Sequence, residues 1–271
     1  MNYKDISTVK SAAVVNLAHY NSEMQKALID KLFFLDKTED ASVFVDYGCA
    51  DGAMIKLAHG ILPDNQYVGF DNSKEMIAAA RLSCRGIDQI GFVSDVVALQ
   101  KVVHEYRAAD KKICLSLMSL IHEVYEYGPD TVKEFWAAVF SNDYDYIAIR
   151  DMCVSMTTSR PSDSLSVAKI RMRYDKDLLA QWEAHWGNLN ENWSLVHFLL
   201  TYRYVDSWDR EFRENYLPLS LENLFNLIPE NWEPTYIEHY TLPFIRQQVM
   251  KDFNVDLQDR THVKLVLKRT K

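Results

Sequence analysis

The chain of 271 residues contains no long tract of Gly, Ser or Pro, the compositions that leave a segment too little apolar surface to fold. Order is therefore expected throughout. Its four cysteines, Cys49, Cys84, Cys114 and Cys153, lie far apart with no CxxC pair, which provides neither a zinc site nor a disulfide framework. Reduced, buried thiols are expected. The histidines lack close-spaced His or carboxylate partners, so no metal site is expected. No apolar run approaches the ~18 residues needed to span a bilayer, and the N-terminus lacks a basic region followed by an apolar signal core. The reading is a cytoplasmic chain with no membrane segment. Positive charge is also in deficit: the formal net charge is -8. Affinity for phosphate backbones comes chiefly from Lys and Arg, so a broad hold on nucleic acid is disfavoured, although a local basic patch is compatible with this total.

What is present is an enzyme-like balance, 48% hydrophobic and 25% charged, in a length that suits one large α/β domain with an insertion. From Ser11 to Phe34 apolar residues recur at helical spacing. The period then changes. Ala41–Tyr47 predicts a strand ending in a glycine turn, and Ala53–Ala58 a helix. The alternation continues with strands at Gln66–Phe70, Gly91–Ser94, Lys112–Leu117 and Tyr144–Arg150, and helices at Lys74–Arg81, Val96–Tyr106 and Thr131–Phe140. Strands alternating with helices at short spacing imply right-handed crossovers and a doubly wound, mostly parallel sheet. After Asp151 the rhythm breaks into a stretch rich in aromatic and charged residues, with helical patches at Ala168–His185 and Leu219–Leu227. Strands resume at Tyr236–Thr241 and His262–Lys268. The expected organisation is a core over residues 1–155, a lid over 156–218 above the sheet's carboxyl edge, and residues 219–271 completing a seven-stranded, Rossmann-like sheet.

The chemistry points to Val45-Asp46-Tyr47-Gly48-Cys49-Ala50-Asp51-Gly52. An acid at a strand end is followed by glycines four residues apart, just before a helix; glycine permits a tight turn and close backbone approach to a ligand. The second strand ends in Asp71, where a carboxylate can accept both hydroxyls of a ribose. The third ends in Asp95-Val96, where an acid can accept from an adenine amino group while the next amide reaches a ring nitrogen. These three ends converge on the crevice where open α/β sheets bind ligands and together describe an adenosine pocket. A nicotinamide-binding dehydrogenase is the competing reading, but GxGxxG is absent and Asp46 has no assigned role there. Helix or loop capping is the plainer alternative for Asp46, Asp71 and Asp95. A packed small residue is the plainer alternative for Cys49, which has no paired base.

Over about Tyr20 to Asp151, this pattern resembles the class I S-adenosylmethionine-dependent methyltransferases, whose first motif is a hydrophobic strand, an acid and a GxGxG-like loop. Ala50 departs from it, standing where the middle glycine is usual. The lead-in Tyr20-Asn21-Ser22-Glu23-Met24-Gln25 and the run Val68-Gly69-Phe70-Asp71-Asn72-Ser73-Lys74-Glu75-Met76-Ile77 resemble a subgroup that includes trans-aconitate and juvenile-hormone-acid methyltransferases. The resemblance implies that Asp46 and the Gly48 region neighbour the cofactor's methionine part, Asp71 holds its ribose, and Asp95 with Val96 reads adenine. It also implies that Tyr20 and Gln25 close over it, with Cys49, Ala50, Gly52, Asn72, Met76 and Met118 as further candidate contacts.

A sulfonium methyl is already activated, so transfer needs chiefly alignment and exclusion of water, with a base only where the acceptor must lose a proton. His122 is the first candidate for that base, followed by Glu123 and Asp151; a helix-start residue packed against the lid is the equal alternative for His122. Tyr127, Arg150, Arg160, Arg173 and Tyr202 are candidate acceptor contacts, because aromatics interleaved with arginines suit a flat or apolar anion. The plainer alternative makes the lid aromatics its own core and the charges its wet face. A small carboxylate or phenolic acceptor is favoured. A nucleotide or RNA acceptor would use Lys169-Ile170-Arg171-Met172-Arg173 and Lys264–Lys271, and a third possibility is a cofactor-binding but catalytically silent partner protein. Oligomeric state is not legible.

Overall fold

The computed structural model describes residues 27–270. These divide into two compact units: the first holds the described residues up to Asp151 together with Leu227–Glu238 and those from Lys264 onward; the second holds Met152–Asn226 and His239–Val263. The second unit thus takes in 239–263 as well as the segment expected to form the lid.

The first unit opens with a single helical turn, α1 (Leu28–Lys31). It then alternates β1 (Val43–Tyr47), α2 (Ala53–Ile61), β2 (Gln66–Phe70), α3 (Lys74–Ser83), β3 (Ile90–Val93), α4 (Val96–Ala108), β4 (Ile113–Met118), α5 (Ile121–Tyr127), α6 (Val132–Ser141) and β5 (Tyr146–Met152). The sheet has seven strands in the order β3-β2-β1-β4-β5-β7-β6, completed by β6 (Trp232–Tyr240) and β7 (His262–Arg269). β1 pairs in parallel with β2 and β4, as do β2 with β3 and β4 with β5. This is the α/β architecture expected from the alternating pattern. All six residues of β4 are buried, as suits a central strand covered on both faces. The chain winds outward from β1 to β3 and then returns to β4 on the other side of β1. The carboxyl ends of β1 and β4 therefore flank the topological switch point, where sheets of this kind bind ligands.

Caps explain where the helices begin. Ser73 Oγ accepts from Met76 N, and Asp95 Oδ1 accepts from Ala98 N, each satisfying a donor that the first turn leaves unpaired. Between sheet and helices, Phe44, Ile55, Tyr67, Ile77 and Phe92 form one apolar cluster.

The second unit contains α7 (Ser164–Arg173), α8 (Lys176–Trp186), α9 (Asn192–Thr201), α10 (Trp208–Glu211), α11 (Leu221–Asn226) and α12 (Pro243–Phe253). Its core holds Trp182, Leu195, Phe198, Leu199, Trp208, Ile245, Val249 and Phe253. The aromatics of this segment thus form a core of their own. Among the described residues, no helix is long and apolar enough to cross a membrane.

At the centre of this core, His197 has no exposed surface. Tyr216 N donates to its Nε2 at 3.1 Å, and the rings of Trp182, Trp186 and Trp193 stand 4.8, 4.5 and 5.1 Å away. Burial pushes its pKa down to about 3, so it folds as the neutral ring. Because the folded state resists protonation, its contribution is complete above the unfolded pKa of about 6.5 and is lost as pH falls from there toward 3. Urea unfolding should therefore show the second unit weakening by roughly 2–3 kcal/mol between pH 7 and pH 4.5, and His197→Phe should flatten that dependence. An unchanged pH slope in the variant would refute this account.

Candidate functional site

The turn after β1 is built on left-handed backbone. Gly48 and Gly52 have φ of +83° and +75°, and Ala50 between them has +46°. A Cβ at Gly48 would lie 2.9 Å from Leu120 Cδ1, and one at Gly52 would lie 2.8 Å from Phe92 Cζ. Both positions therefore require glycine for conformation and for space. Ala50 carries a left-handed conformation that costs a non-glycine residue on the order of 1 kcal/mol, which is the physical content of its departure from the usual glycine.

Asp71 organises this turn. Its Oδ2 accepts from Ala50 N at 3.0 Å and its Oδ1 from Ser73 N at 2.9 Å. One carboxylate thus ties the β1 turn to the start of α3. Asp95 is exposed and caps α4. Each carboxylate keeps lone pairs beyond these bonds, so capping and ligand binding are compatible. Asn72 and Met76 lie half-buried beside Asp71, Val96 opens α4, and Met118 is buried at the end of β4. Cys49 is buried, and burial with nearby Asp46 and Asp71 drives its thiol far above the ordinary range. It packs as a thiol, with no thiolate chemistry. Tyr20 and Gln25 lie outside the described residues.

Asp46, buried in β1, stands in register with Ser116 of β4, whose hydroxyl donates to Asp46 Oδ1 at 3.0 Å. Sequence reading missed Ser116, although its i, i+2 place in a buried strand next to β1 was available. Burial raises the Asp46 pKa to about 6, with Ser116 and Lys31 opposing the rise and Asp71 adding to it. Its folded pKa exceeds its unfolded value, so the stability it contributes is complete below about 3.8 and is lost as pH rises through 6. In ligand-free protein Asp46→Asn should match wild type at pH 4 and exceed it by roughly 1–3 kcal/mol at pH 7.5. Equal melting behaviour at pH 7.5 would overturn this.

On the other side of the switch point, α5 begins just past β4. His122 Nδ1 lies 2.8 Å from Asp151 Oδ1, and Asp151 Oδ2 accepts from Ile121 N at 2.6 Å. Both side chains are buried. Glu123 lies half-buried in the first turn of α5, and Tyr127 half-buried at its last residue. Ser119 is left-handed, with φ +58°. Its amide donates to Arg150 O at 2.7 Å, and its hydroxyl accepts from Arg150 Nη1 at 2.8 Å. Arg150 Nε bonds Asp30 at 3.0 Å. Two of the three acids at the β1–β3 strand ends thus serve as caps or ties, while near β4 and β5 His122 pairs with Asp151 and Arg150 bonds Ser119 and Asp30.

The remaining acceptor candidates are held within the second unit. Arg160 makes a two-pronged bond to Asp259, at 2.8 and 2.9 Å. Arg173 donates to Phe253 O, and Lys169 donates to Asn254 O at 2.7 Å. These two cations thereby cap the end of α12 where its carbonyls are unpaired. Tyr202 OH donates to Asp252 at 2.7 Å. No group of three or more potential metal ligands occurs among the described residues.

Neither a protein-family model nor a curated protein matches the chain. Solved structures do. The methyltransferase domain of a bacterial Hen1 superposes with a TM-score of 0.50 at 11% identity, covering 91% of this chain and 98% of that one. The plantazolicin methyltransferase BpumL, in complex with a substrate analogue and SAH, gives 0.47 at 11% identity over 98% and 91%. The pyocyanin biosynthetic protein PhzM gives 0.48 at 12% identity over 91% and 55%. At this level of identity the first likeness establishes the fold alone, the α/β fold of a methyltransferase domain.

Proposed function

We propose that this chain binds S-adenosylmethionine at the Gly48–Gly52 turn and transfers its methyl group to an oxygen or nitrogen of a small-molecule acceptor. The observation that carries the reading is the alignment of Asp46, Asp71 and Asp95 at the carboxyl ends of three adjacent strands, beside a turn bent by left-handed residues at 48, 50 and 52. Gly48, where only a bare backbone fits, lets a ligand approach closely. Buried Asp46, held part-way to the neutral form, gains from a cationic amino group placed next to it. Asp71 and Asp95 offer their remaining lone pairs to vicinal hydroxyls and to an exocyclic amine.

When bound, the cofactor supplies a methyl group activated on a sulfonium. The chain's part is to position the acceptor and keep water away. A small-molecule acceptor is favoured because most of the described cations that would serve RNA are engaged internally. Lys169 and Arg173 cap α12, Arg171 bonds Glu183, Lys264 bonds Asp30, and Arg269 bonds backbone carbonyls while stacking on Trp232. Calorimetry should give saturable binding of S-adenosylmethionine and S-adenosylhomocysteine. Absence of heat with both would refute the reading. RNA binding with a steep salt dependence would make RNA the acceptor instead.

A further inference from the structure

We infer that the row Val255–Gln258 is a binding edge for an extended segment of a partner protein, one whose apolar side chains alternate with basic ones. Every residue involved belongs to the second unit, so this edge stands apart from the methyl-transfer reading. Residues 254–258 form no helix, turn or bend, and their side chains alternate as in a strand. Val255 and Leu257 are buried, while Asp256 and Gln258 are exposed. Among the described residues, none offers a hydrogen-bond partner to the main-chain N–H and C=O groups of Val255, Asp256, Leu257 or Gln258. Such groups are obligatory donors and acceptors, and a strand that leaves them unpaired is a template for another strand.

Side chains hold this row in place at both ends. At one, Lys169 Nζ donates to Asn254 O at 2.7 Å. At the other, Arg160 makes its two-pronged bond to Asp259, Asn192 Nδ2 donates to the same carboxylate at 3.0 Å, and Thr241 Oγ1 donates to Asp259 O at 2.8 Å. Lys169, Arg160 and Asn192 also line a cleft of about 580 Å³, and the whole row from Val255 to Asp259 forms another part of its wall. Leu195, Val196 and Leu199 of α9 give it a buried apolar floor. An edge fixed before binding loses little freedom when a ligand docks.

The cleft selects its ligand. Its volume suits a short segment, and four residues at about 3.3 Å each provide an edge of roughly 13 Å. One edge presents donors and acceptors at alternate residues, about 7 Å apart, a repeat that another extended backbone matches. Alternate side chains of the added strand then meet the apolar floor, and the others pass the rim. There three carboxylates, Asp163, Asp256 and Asp259, outnumber two cations, Arg160 and Lys169. Both cations are already engaged, one by Asp259 and the other by Asn254 O. The rim therefore favours Lys or Arg on the incoming segment.

A blocked six-residue peptide alternating valine and lysine is the probe, added to the intact chain without nucleoside. Hydrogen exchange followed by NMR should show two of the Val255–Gln258 amides, two residues apart, gaining at least roughly tenfold protection at saturating peptide. N-methylation of every valine or of every lysine removes the N–H groups of one edge of the peptide or the other. One analogue should bind at least roughly tenfold more weakly, and the other within about threefold of the parent. Glutamate in place of lysine should weaken binding about fivefold or more, and Asp256→Lys should narrow that difference. Amides left unprotected at millimolar peptide, N-methyl analogues that bind alike, or a glutamate peptide that binds as tightly would each overturn the inference. So would protection that rises with protein concentration alone, which would make a second copy of this chain the occupant.

Discussion

Asp71→Ala is expected to weaken S-adenosylhomocysteine binding by about a hundred-fold or more in calorimetry, and Asp71→Asn by nearly as much. The carboxylate performs two tasks that are inseparable in this structure. Its oxygens receive Ala50 N at 3.0 Å and Ser73 N at 2.9 Å, and its remaining lone pairs are those proposed for the ribose hydroxyls. Charge-assisted bonds of this kind contribute roughly 1.5–3 kcal/mol each when shielded. Ala50 is exposed and Asp71 half-buried, so water replaces part of that loss. The loop penalty then stays within roughly 1–2 kcal/mol, and the lost ribose acceptors supply the remainder. In Asp71→Asn the amide nitrogen would face one of the two backbone donors, so the neutral isostere keeps only half the tie. The stability of the fold should change little, because the turn lies at the surface. Affinity within threefold of wild type for Asp71→Ala would remove the residue from the site.

The fold of the first unit was legible because its elements announce themselves locally. β4 is an apolar run interrupted only by Ser116, the helices after β2 and β3 begin at Ser73 and Asp95 caps, and the glycine turn separates β1 from α2. The second unit was harder to read for an equally physical reason. Nine of the ten residues of α9 are buried, so no polar face exists to give the 3.6-residue period on which sequence reading depends. α12 was also missed, although Pro243 at its start and buried Ile245, Val249 and Phe253 at four-residue intervals carried the signal. The candidate site divides in the same way. Glycines and strand-end acids are recognised from chain-local chemistry. The partners of His122, Arg160 and Arg173 lie 29, 99 and 80 residues away. The adjacency of β4 with β5 brings the first to Asp151, that of α7 with α12 brings the third to Phe253, and Arg160 meets Asp259 from the segments that precede α7 and follow α12.

The largest effect on stability should come from Trp182→Ala in α8. Trp182 has no exposed surface, and the rings of His197, Phe198, Trp186 and Trp208 surround it at 4.8, 5.7, 6.0 and 6.4 Å. Truncation leaves a cavity lined by large rigid rings that cannot collapse into it, which places the cost at about 3–5 kcal/mol. Trp182→Phe separates volume from polarity. The indole Nε1 has no hydrogen-bond partner, so phenylalanine loses part of the packing but also removes a buried N–H that was unpaired. Its cost should stay below about 2 kcal/mol. Hydrogen exchange of the α9 amides reports the second unit directly, and urea unfolding followed by circular dichroism gives the free energy. Equal losses for the two variants would show that the indole hydrogen, and not the ring volume, stabilises this core.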